Sequence, residues 1–302
     1  MLKDRVAVIT GSGRGIGMEM AKLMAGYGAK VVVNDPGGDE KGEGVEKRIA
    51  DLVVDQIKEA GGIAVANYDS VATMEGAKNI IDTAVNNFGQ IDILVNNAGI
   101  LRDRMIFNMS EQEWDSVLNV HLKGSFATIR AATPLMRQQR YGRIINLTST
   151  TGIIGNIGQA NYGAAKAAIA GLSKCVAIDM AKYNVTVNAI APFAWTRMIG
   201  TISTDSPTDA RRVELLKKMN PAQIAPLAAY LASEAAGDVT GQIFGVRANE
   251  IFLFSQIRPI RSVHNDSGWT VEKISEIFIP TVRKDFYPLD TSVDVFPYDP
   301  LV

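Results

Sequence analysis

Short β-branched runs alternate with longer helical stretches along most of this chain, and that rhythm limits the fold more than any other feature of the sequence. The runs are Val6 to Thr10, Val31 to Asn34, Ile63 to Ala66, Ile91 to Asn96, Ile144 to Leu147, Val185 to Ile190 and Ile243 to Val246. Each is apolar along nearly its whole length, which suits a strand covered by helices on both faces. The pattern predicts an α/β fold with a doubly wound parallel sheet of about seven strands. Ligands then belong outside the carboxyl ends of the strands. Gly and Pro mark the joints, as at Pro36-Gly37-Gly38, Gly61-Gly62 and Gly89, and no repeat divides the first 250 residues, so residues 1–250 read as one domain.

Between Arg197 and Pro221 the rhythm lapses into a polar stretch followed by a charged helical segment, a composition suited to a lid. Residues 251–302 read as a C-terminal extension. Phe252, Phe254, Trp269, Phe278, Phe286, Tyr287, Phe296 and Tyr298 give it too many aromatics for a disordered tail. Glu272 to Val282 has helix-compatible spacing with a cap signal from Thr270 to Lys273, whereas Pro288 and Pro297 favour extended chain. The extension is expected to dock on the main domain or on a second subunit.

Composition narrows the partners. A formal charge of −1 provides no global attraction for nucleic acid or an anionic membrane, so phosphate binding must be local. Cys175 is the only cysteine, which excludes an internal disulfide framework and a multi-cysteine metal site, and no metal is expected. Lys3, Asp4 and Arg5 interrupt the N-terminus, no run of 18 apolar residues occurs, and Pro300-Leu301-Val302 does not match the peroxisomal tripeptide. No membrane span and a cytoplasmic location are the expectations.

Three groups of residues carry chemistry. Thr10-Gly11-Ser12-Gly13-Arg14-Gly15-Ile16-Gly17 follows the first strand directly and opens a helix. Small residues there let main chain approach a pyrophosphate, and the helix start supplies amide donors and a favourable dipole. A tight strand-helix turn explains a lone glycine loop nearly as well. Asp35 ends the second strand about 20 residues further on, where a carboxylate can accept hydrogen bonds from a ribose diol and repel a 2′-phosphate; a solvated loop carboxylate is the alternative. Tyr162 and Lys166 stand at i and i+4, neighbours on one helical face, and Ser149 precedes Tyr162 by 13 residues at the end of another strand. A free tyrosine titrates near 10, so a phenolate poised near neutrality needs a shift of roughly 3 units, about 4 kcal/mol. A close cation such as Lys166 can supply much of it.

The order of these groups, with Thr-Gly-x-x-x-Gly-x-Gly spacing at Gly11, Gly15 and Gly17, resembles the short-chain dehydrogenase/reductase family over roughly residues 4–246. The resemblance implies a Rossmann-like sheet binding a nicotinamide dinucleotide, with Gly11, Arg14, Gly15, Ile16 and Gly17 around the phosphates. NAD is expected because Asp35 would lie beside the ribose; Arg14, a basic residue before the second glycine of the motif, speaks for NADP. Asp69, followed by Ser70, resembles the residue that contacts the adenine amine, or else caps the next helix. Asn96-Asn97-Ala98-Gly99 resembles the family's Asn-Asn-Ala-Gly motif, placing Asn97, Ala98 and Gly99 near the cofactor; it also reads as a strand-ending turn. Pro192-Phe193-Ala194-Trp195-Thr196 resembles the nicotinamide-side Pro-Gly motif, with Phe193 replacing glycine and Thr196 at the carboxamide; a simple turn leading into the lid is the alternative.

In the family's chemistry Tyr162 would exchange the proton, Ser149 would orient the substrate oxygen and Lys166 would favour the phenolate, with Tyr162 and Lys166 also meeting the cofactor. His121, within Asn119-Val120-His121-Leu122-Lys123-Gly124, stands where the family carries a catalytic asparagine that holds a water through its main-chain carbonyl; a buried structural histidine is the alternative.

A narrower resemblance, to the (3R)-hydroxyacyl-CoA dehydrogenase units of peroxisomal multifunctional enzymes type 2 and their bacterial relatives, rests on Asn34-Asp35-Pro36-Gly37-Gly38-Asp39, Asn67-Tyr68-Asp69-Ser70-Val71, Ile100-Leu101-Arg102-Asp103-Arg104, Val120 to Phe126 and Gly158-Gln159-Ala160-Asn161-Tyr162. It implies a small-molecule alcohol or ketone substrate, with acyl-CoA first in line. Hydroxysteroid or terpene alcohols are the alternative, and a nucleotide-binding scaffold without turnover is the non-enzyme reading. Arg247, Arg258, Arg261, Arg283 and Lys284 could meet the CoA phosphates or be a solvated surface. The family implies a homodimer or homotetramer, for which the helical stretches Ser110 to Arg140 and Gln159 to Ala181 could serve.

Overall fold

The computed structural model describes residues 1–39, 41–44, 46, 48–194, 214 and 217–302. Its centre is one eight-stranded sheet in the order β3-β2-β1-β4-β5-β6-β7-β8. The strands are β1 (Val6–Thr10), β2 (Lys30–Asn34), β3 (Ile63–Asn67), β4 (Ile93–Asn96), β5 (Gly142–Leu147), β6 (Val185–Phe193), β7 (Ile243–Arg247) and β8 (Glu250–Leu253). The first seven pair in parallel and β8 returns antiparallel on β7, with Arg247 opposite Glu250. The expected seven parallel strands are present. The eighth lies where the extension was expected to begin.

Strand alternation sorts the core into two layers. Ala7, Ile9, Val31 and Val33 pack under helices α1 (Gly15–Gly26) and α2 (Arg48–Glu59), together with α8 (Ala225–Leu231). Val6, Val8 and Val32 face the other layer, which contains α3 (Met74–Phe88), α5 (Gly124–Gln139) and α7 (Ala160–Met180). Residues two apart share a face, so a parallel strand apolar at every position feeds both layers at once. Two further helices of this body are α4 (Glu111–Leu118), opened by a Ser110–Glu113 capping box, and the short α6 (Thr150–Ile153). A π-helical turn, Asn119–Lys123, joins α4 to α5.

The strand order reverses between β1 and β4, and a crevice opens at that point at the carboxyl ends of the strands. The glycine loop leaves β1 there and Asn97 leaves β4.

Beyond β8 the chain touches the main body at several places. Phe296 lies between Phe193 and Phe252, 5.1 Å from each ring centre. Ser292 N donates to Gly155 O at 3.3 Å, and Asn249 N donates to Leu301 O at 3.0 Å. Thr270 Oγ1 accepts from Lys273 N at 3.3 Å, starting the helical turns expected there. Ile257, Tyr287 and Leu289 are exposed. Among the described residues no helix is long and apolar enough to cross a membrane.

Candidate active site

The glycine loop is held in place from β4. Thr10 Oγ1 accepts from Asn97 N and Ala98 N, both at 3.1 Å, while Asn97 Nδ2 donates to Thr10 O at 2.9 Å and to Gly11 O at 2.8 Å. Gly11 has φ +61°, and a Cβ there would come within 2.7 Å of Ala98 Cα. Gly17 carries no such backbone demand, but its Cβ would sit 2.4 Å from Gly11 O, so the first turn of α1 packs directly on the loop. Arg14 stands at the start of α1 in extended conformation with no side-chain cap, leaving the first amides of the helix open toward the crevice. Ile16 faces the core layer under α1. Asn97 and Ala98 therefore have a task within the protein, the bracing of the loop, that the motif alone did not disclose. Thr10, missed as a site residue, is the other half of that brace.

Asp35 closes the side of the loop. Its Oδ2 accepts from Gly13 N at 3.0 Å and its Oδ1 from Gly37 N at 2.8 Å, which fixes the carboxylate at the end of β2. Arg14 Nη2 lies 3.5 Å from Glu46 Oε2. Asp69 accepts from Asn67 Nδ2 at 2.8 Å and from Asn79 Nδ2 at 3.2 Å, and Asn34 Nδ2 donates to its main-chain oxygen at 2.9 Å. The alternative of Asp69 as a helix cap is corrected: Thr73 caps α3, its Oγ1 accepting from Gly76 N at 3.0 Å. Ser70 is exposed, and its Oγ accepts from Ala72 N at 3.2 Å. These loop and strand-end residues form a cradle that fits a dinucleotide: close-packed glycines, uncapped helix amides and a fixed carboxylate.

Across the crevice, Ser149 ends the segment after β5 and caps α6, its Oγ accepting from Thr151 N at 3.1 Å. Tyr162 lies in the first turn of α7, where Asn161 locks the helix start by donating from Nδ2 to Arg102 O at 3.0 Å and to Glu113 O at 3.1 Å. Burial pushes the Tyr162 phenol up to about 12, a hydrogen bond with Ser149 pulls it down, and the charge of Asp103 adds to the rise. Lys166 is buried, with Nζ donating to Leu147 O at 2.6 Å and lying 5.6 Å from the centre of the Tyr162 ring. Burial pushes its ammonium down to about 7. The lysine expected simply to lower the tyrosine is thus itself destabilised as a cation, because the hydrogen bond to Leu147 O, its one such bond among the described residues, does not replace water.

Asp103, at the rim, accepts from Gln159 Nε2 at 2.8 Å, and Arg104 N donates to Gly158 O at 2.8 Å. The two stretches Arg102–Arg104 and Gly158–Asn161 are therefore one clasp at the mouth of the site.

His121 is 2% exposed, within the π-helical turn. Its ring meets Tyr162 edge to face with centres 5.2 Å apart, and Nε2 contacts Ile100 O at 2.8 Å and Ile100 N at 3.0 Å. A Cβ on Gly99 would fall 2.4 Å from His121 Cε1, so it is this ring that requires glycine there. Burial first, and the charge of Lys166 second, push the imidazole down to about 3.

Pro192 and Phe193 belong to β6, with Pro192 paired to Val246, instead of to a turn. Thr196 and most of the expected lid from Arg197 to Pro221 lie outside the described residues. Of the five cations considered for CoA phosphates, Arg247 is buried against Glu250 and Tyr298, and Arg261 pairs with Asp285 at 2.6 Å. Arg258, Arg283 and Lys284 are exposed. No group of three or more His, Cys, Asp or Glu arranged to hold a metal occurs among the described residues.

Comparison with known proteins places the chain. Residues 5–206 match the short chain dehydrogenase family. The chain is 49% identical over 260 residues to the peroxisomal hydratase-dehydrogenase-epimerase of Saccharomyces cerevisiae, covering 86% of this chain and 27% of that protein. It is 52% identical over 234 residues to the peroxisomal multifunctional enzyme type 2 of Drosophila melanogaster, covering 78% of this chain and 37% of that one. The chain thus spans about a quarter to a third of the length of these relatives. The crystal structure of a short chain dehydrogenase from Mycobacterium avium superposes with a TM-score of 0.83 at 40% identity, covering 96% of this chain and 98% of that one.

Proposed function

Since this chain belongs to the short-chain dehydrogenase family, we propose that it oxidises a 3-hydroxyacyl thioester of coenzyme A to the 3-oxo form with NAD as acceptor. Membership makes it an oxidoreductase of CH–OH groups that uses NAD or NADP. The finer choices rest on this chain's own residues. The observation that carries the reading is the meeting of Ser149, Tyr162 and Lys166 at the crevice that the braced glycine loop also faces.

Bound nicotinamide supplies the two-electron acceptor. The chain's residues handle the proton. Ser149 Oγ and Tyr162 Oη hold the substrate oxygen between them, and the phenolate form of Tyr162 takes the hydroxyl proton as the C–H bond is lost. Run backward, the phenol returns that proton to a ketone. Tyr162 at about 12 is too weak an acid for this at neutral pH until positive charge comes close, and Lys166 Nζ lies 5.6 Å from the centre of its ring.

The choice of NAD is supported by Asp35, whose carboxylate is fixed by two main-chain donors at the end of β2. A 2′-phosphate placed there would face a charge unable to turn away. Arg14, the residue that speaks for NADP, is turned toward Glu46. The dehydrogenase reaction agrees with the name of the yeast relative, and the substrate class is supported by Arg283 and Lys284, exposed cations available for phosphate contacts.

The test is an absorbance assay for reduced cofactor with NAD and a panel of 3-hydroxyacyl-CoA esters, hydroxysteroids and simple secondary alcohols. The expected result is the highest kcat/KM on the acyl-CoA esters. A higher value on hydroxysteroids would overturn the substrate, and no turnover on any panel member would overturn the reaction.

A further inference from the structure

Asp103 stands between two arginines in the chain and pairs with neither. Arg102 Nη2 donates to Glu43 Oε1 at 2.9 Å, and Arg104 Nη2 donates to Glu113 Oε1 at 3.2 Å. Among the described residues no other cation makes an ion pair with Asp103. Its hydrogen bond comes from a neutral group, Gln159 Nε2 donating to Oδ2 at 2.8 Å. Lys166, the cation at the reacting end, is buried and donates to Leu147 O, so it does not neutralise the rim. The mouth of the crevice therefore carries an exposed carboxylate without a counter-ion, beside two arginines committed elsewhere.

That carboxylate is fixed relative to the reacting groups. Arg104 bridges to Gln159 in parallel, with Arg104 N donating to Gly158 O at 2.8 Å. Gln159 Oε1 accepts from Thr151 Oγ1 at 3.0 Å and from Asn156 Nδ2 at 3.1 Å, and Thr151 N donates to Ser149 Oγ at 3.1 Å. The two ends of one amide thus join Asp103 on the rim to the turn that carries Ser149. The charge of Asp103 also reaches Tyr162, where it opposes the phenolate. For the proton step alone such a charge is a hindrance. Its use is to be sought in the substrate.

In a 3-hydroxyacyl compound the carboxyl carbon is two bonds from the carbon that loses hydride. With the hydroxyl between Ser149 and Tyr162, the carboxyl group is held at the same end of the crevice, within reach of the charge that already acts on the phenol. A free acid brings a second carboxylate there, and like charges brought together outside bulk water repel. A thioester brings a neutral group, and the phosphates of CoA sit at the far end of a long arm. We propose that Asp103 is a specificity-determining residue, a fixed negative charge that turns away free 3-hydroxy acids and admits the same acyl group once its carboxyl is masked as a neutral thioester. This rests on the dehydrogenase reading above and narrows its substrate class.

The test compares 3-hydroxybutanoate with its N-acetylcysteamine thioester, which has the same acyl group, no charge and no phosphates, each with NAD. The quantity read is the ratio of kcat/KM, acid over thioester. In D103N an amide oxygen still accepts from Gln159 while the charge is gone, and the ratio is expected to rise about tenfold. Easier ionisation of Tyr162 in that variant speeds both substrates alike and cancels in the ratio. D103E keeps the charge, and its ratio is expected to stay within about twofold of the parent. An unchanged ratio in D103N, or an equal rise in D103E, overturns the proposal. The parent protein gives an answer without any variant: screening should raise its ratio several-fold from low to high salt, and a ratio that stays flat or falls overturns the proposal. Failure of the parent to oxidise the thioester at all would overturn the dehydrogenase reading and the proposal with it, whereas turnover with an unchanged ratio overturns the proposal alone.

Discussion

At the nucleotide end of the crevice, polar side chains are tied to main chain before any ligand is considered: Asn97 to Thr10 and Gly11, Asp35 to Gly13 and Gly37, Asn34 to Asp69. At the reacting end, the half-buried Tyr162 and the buried Lys166 and His121 are titratable groups displaced from their ordinary ranges, with hydrogen-bonding capacity that the described residues do not exhaust. The first end is shape, complete in the fold. The second is stored chemical potential, which only ligands can relieve. Binding and turnover should therefore separate cleanly under substitution.

The largest break in that comparison is Tyr162→Phe. Removing one oxygen should lower turnover by about 10²–10⁴-fold while leaving NAD affinity within about twofold, because no contact of the nucleotide cradle involves the phenol. Stopped-flow turnover and a fluorescence titration of cofactor measure the two halves. A parallel loss of both would mean that the ends are not independent.

The pH profile sharpens the same point. Burial holds Tyr162 high, at about 12, and alcohol oxidation needs the phenolate, so kcat/KM for oxidation should rise by about tenfold per pH unit along its acid limb. Ketone reduction needs the phenol and should fall on the alkaline side. Lys166, held down at about 7, loses its charge across neutrality and so withdraws support for the phenolate as pH rises, which should flatten the oxidation limb above that point. Profiles measured in both directions check the opposite signs.

At the nucleotide end, Asp35→Ala should shift the ratio of kcat/KM for NAD over NADP toward NADP by about tenfold, since it removes a charge held by two amides. Turnover at saturating NAD should hardly change. An unaltered ratio would remove Asp35 from cofactor choice.

These two ends were legible in the sequence to different depths, for physical reasons. The loop, Asp35 and the Ser149, Tyr162, Lys166 set are local patterns at strand ends, and their spacing survives folding. What stayed hidden depends on partners far along the chain. The sequence singles out His121 but not the setting of its ring, which is defined by Ile100 and Gly99, some twenty residues away, and by a π-helical turn that shifts apolar spacing by a single residue. Strand β8 was hidden because the reversal before it uses Ala248 at φ +53° and Asn249, without the glycine that ordinarily marks such a turn. Thr73 and Asp69 are both residues that cap helices, and only the actual first turn of α3 distinguishes them. The charge of Arg247 suggested a surface, whereas Glu250 and Tyr298 enclose it.

That last residue leads to the smallest effect expected. If the extension meets the CoA phosphates, its contribution must come from exposed cations, and Arg247 and Arg261 are already engaged with Glu250 and Asp285. Replacing both Arg283 and Lys284 by glutamine should raise KM for a 3-hydroxyacyl-CoA by only about threefold, because exposed ion pairs are weak and screened by salt. KM for a small secondary alcohol should not move, and the difference between the two substrates should shrink as ionic strength rises. Equal changes for both substrates would place these cations away from CoA. Arg247→Gln acts instead on the fold: it unpairs Glu250 where β7 turns into β8, so its expected signature is a lower Tm with the ratio of the two KM values unchanged. The extension thus divides as the crevice does, into residues that hold structure and residues left free for a ligand, and the two substitutions should report on different halves of it.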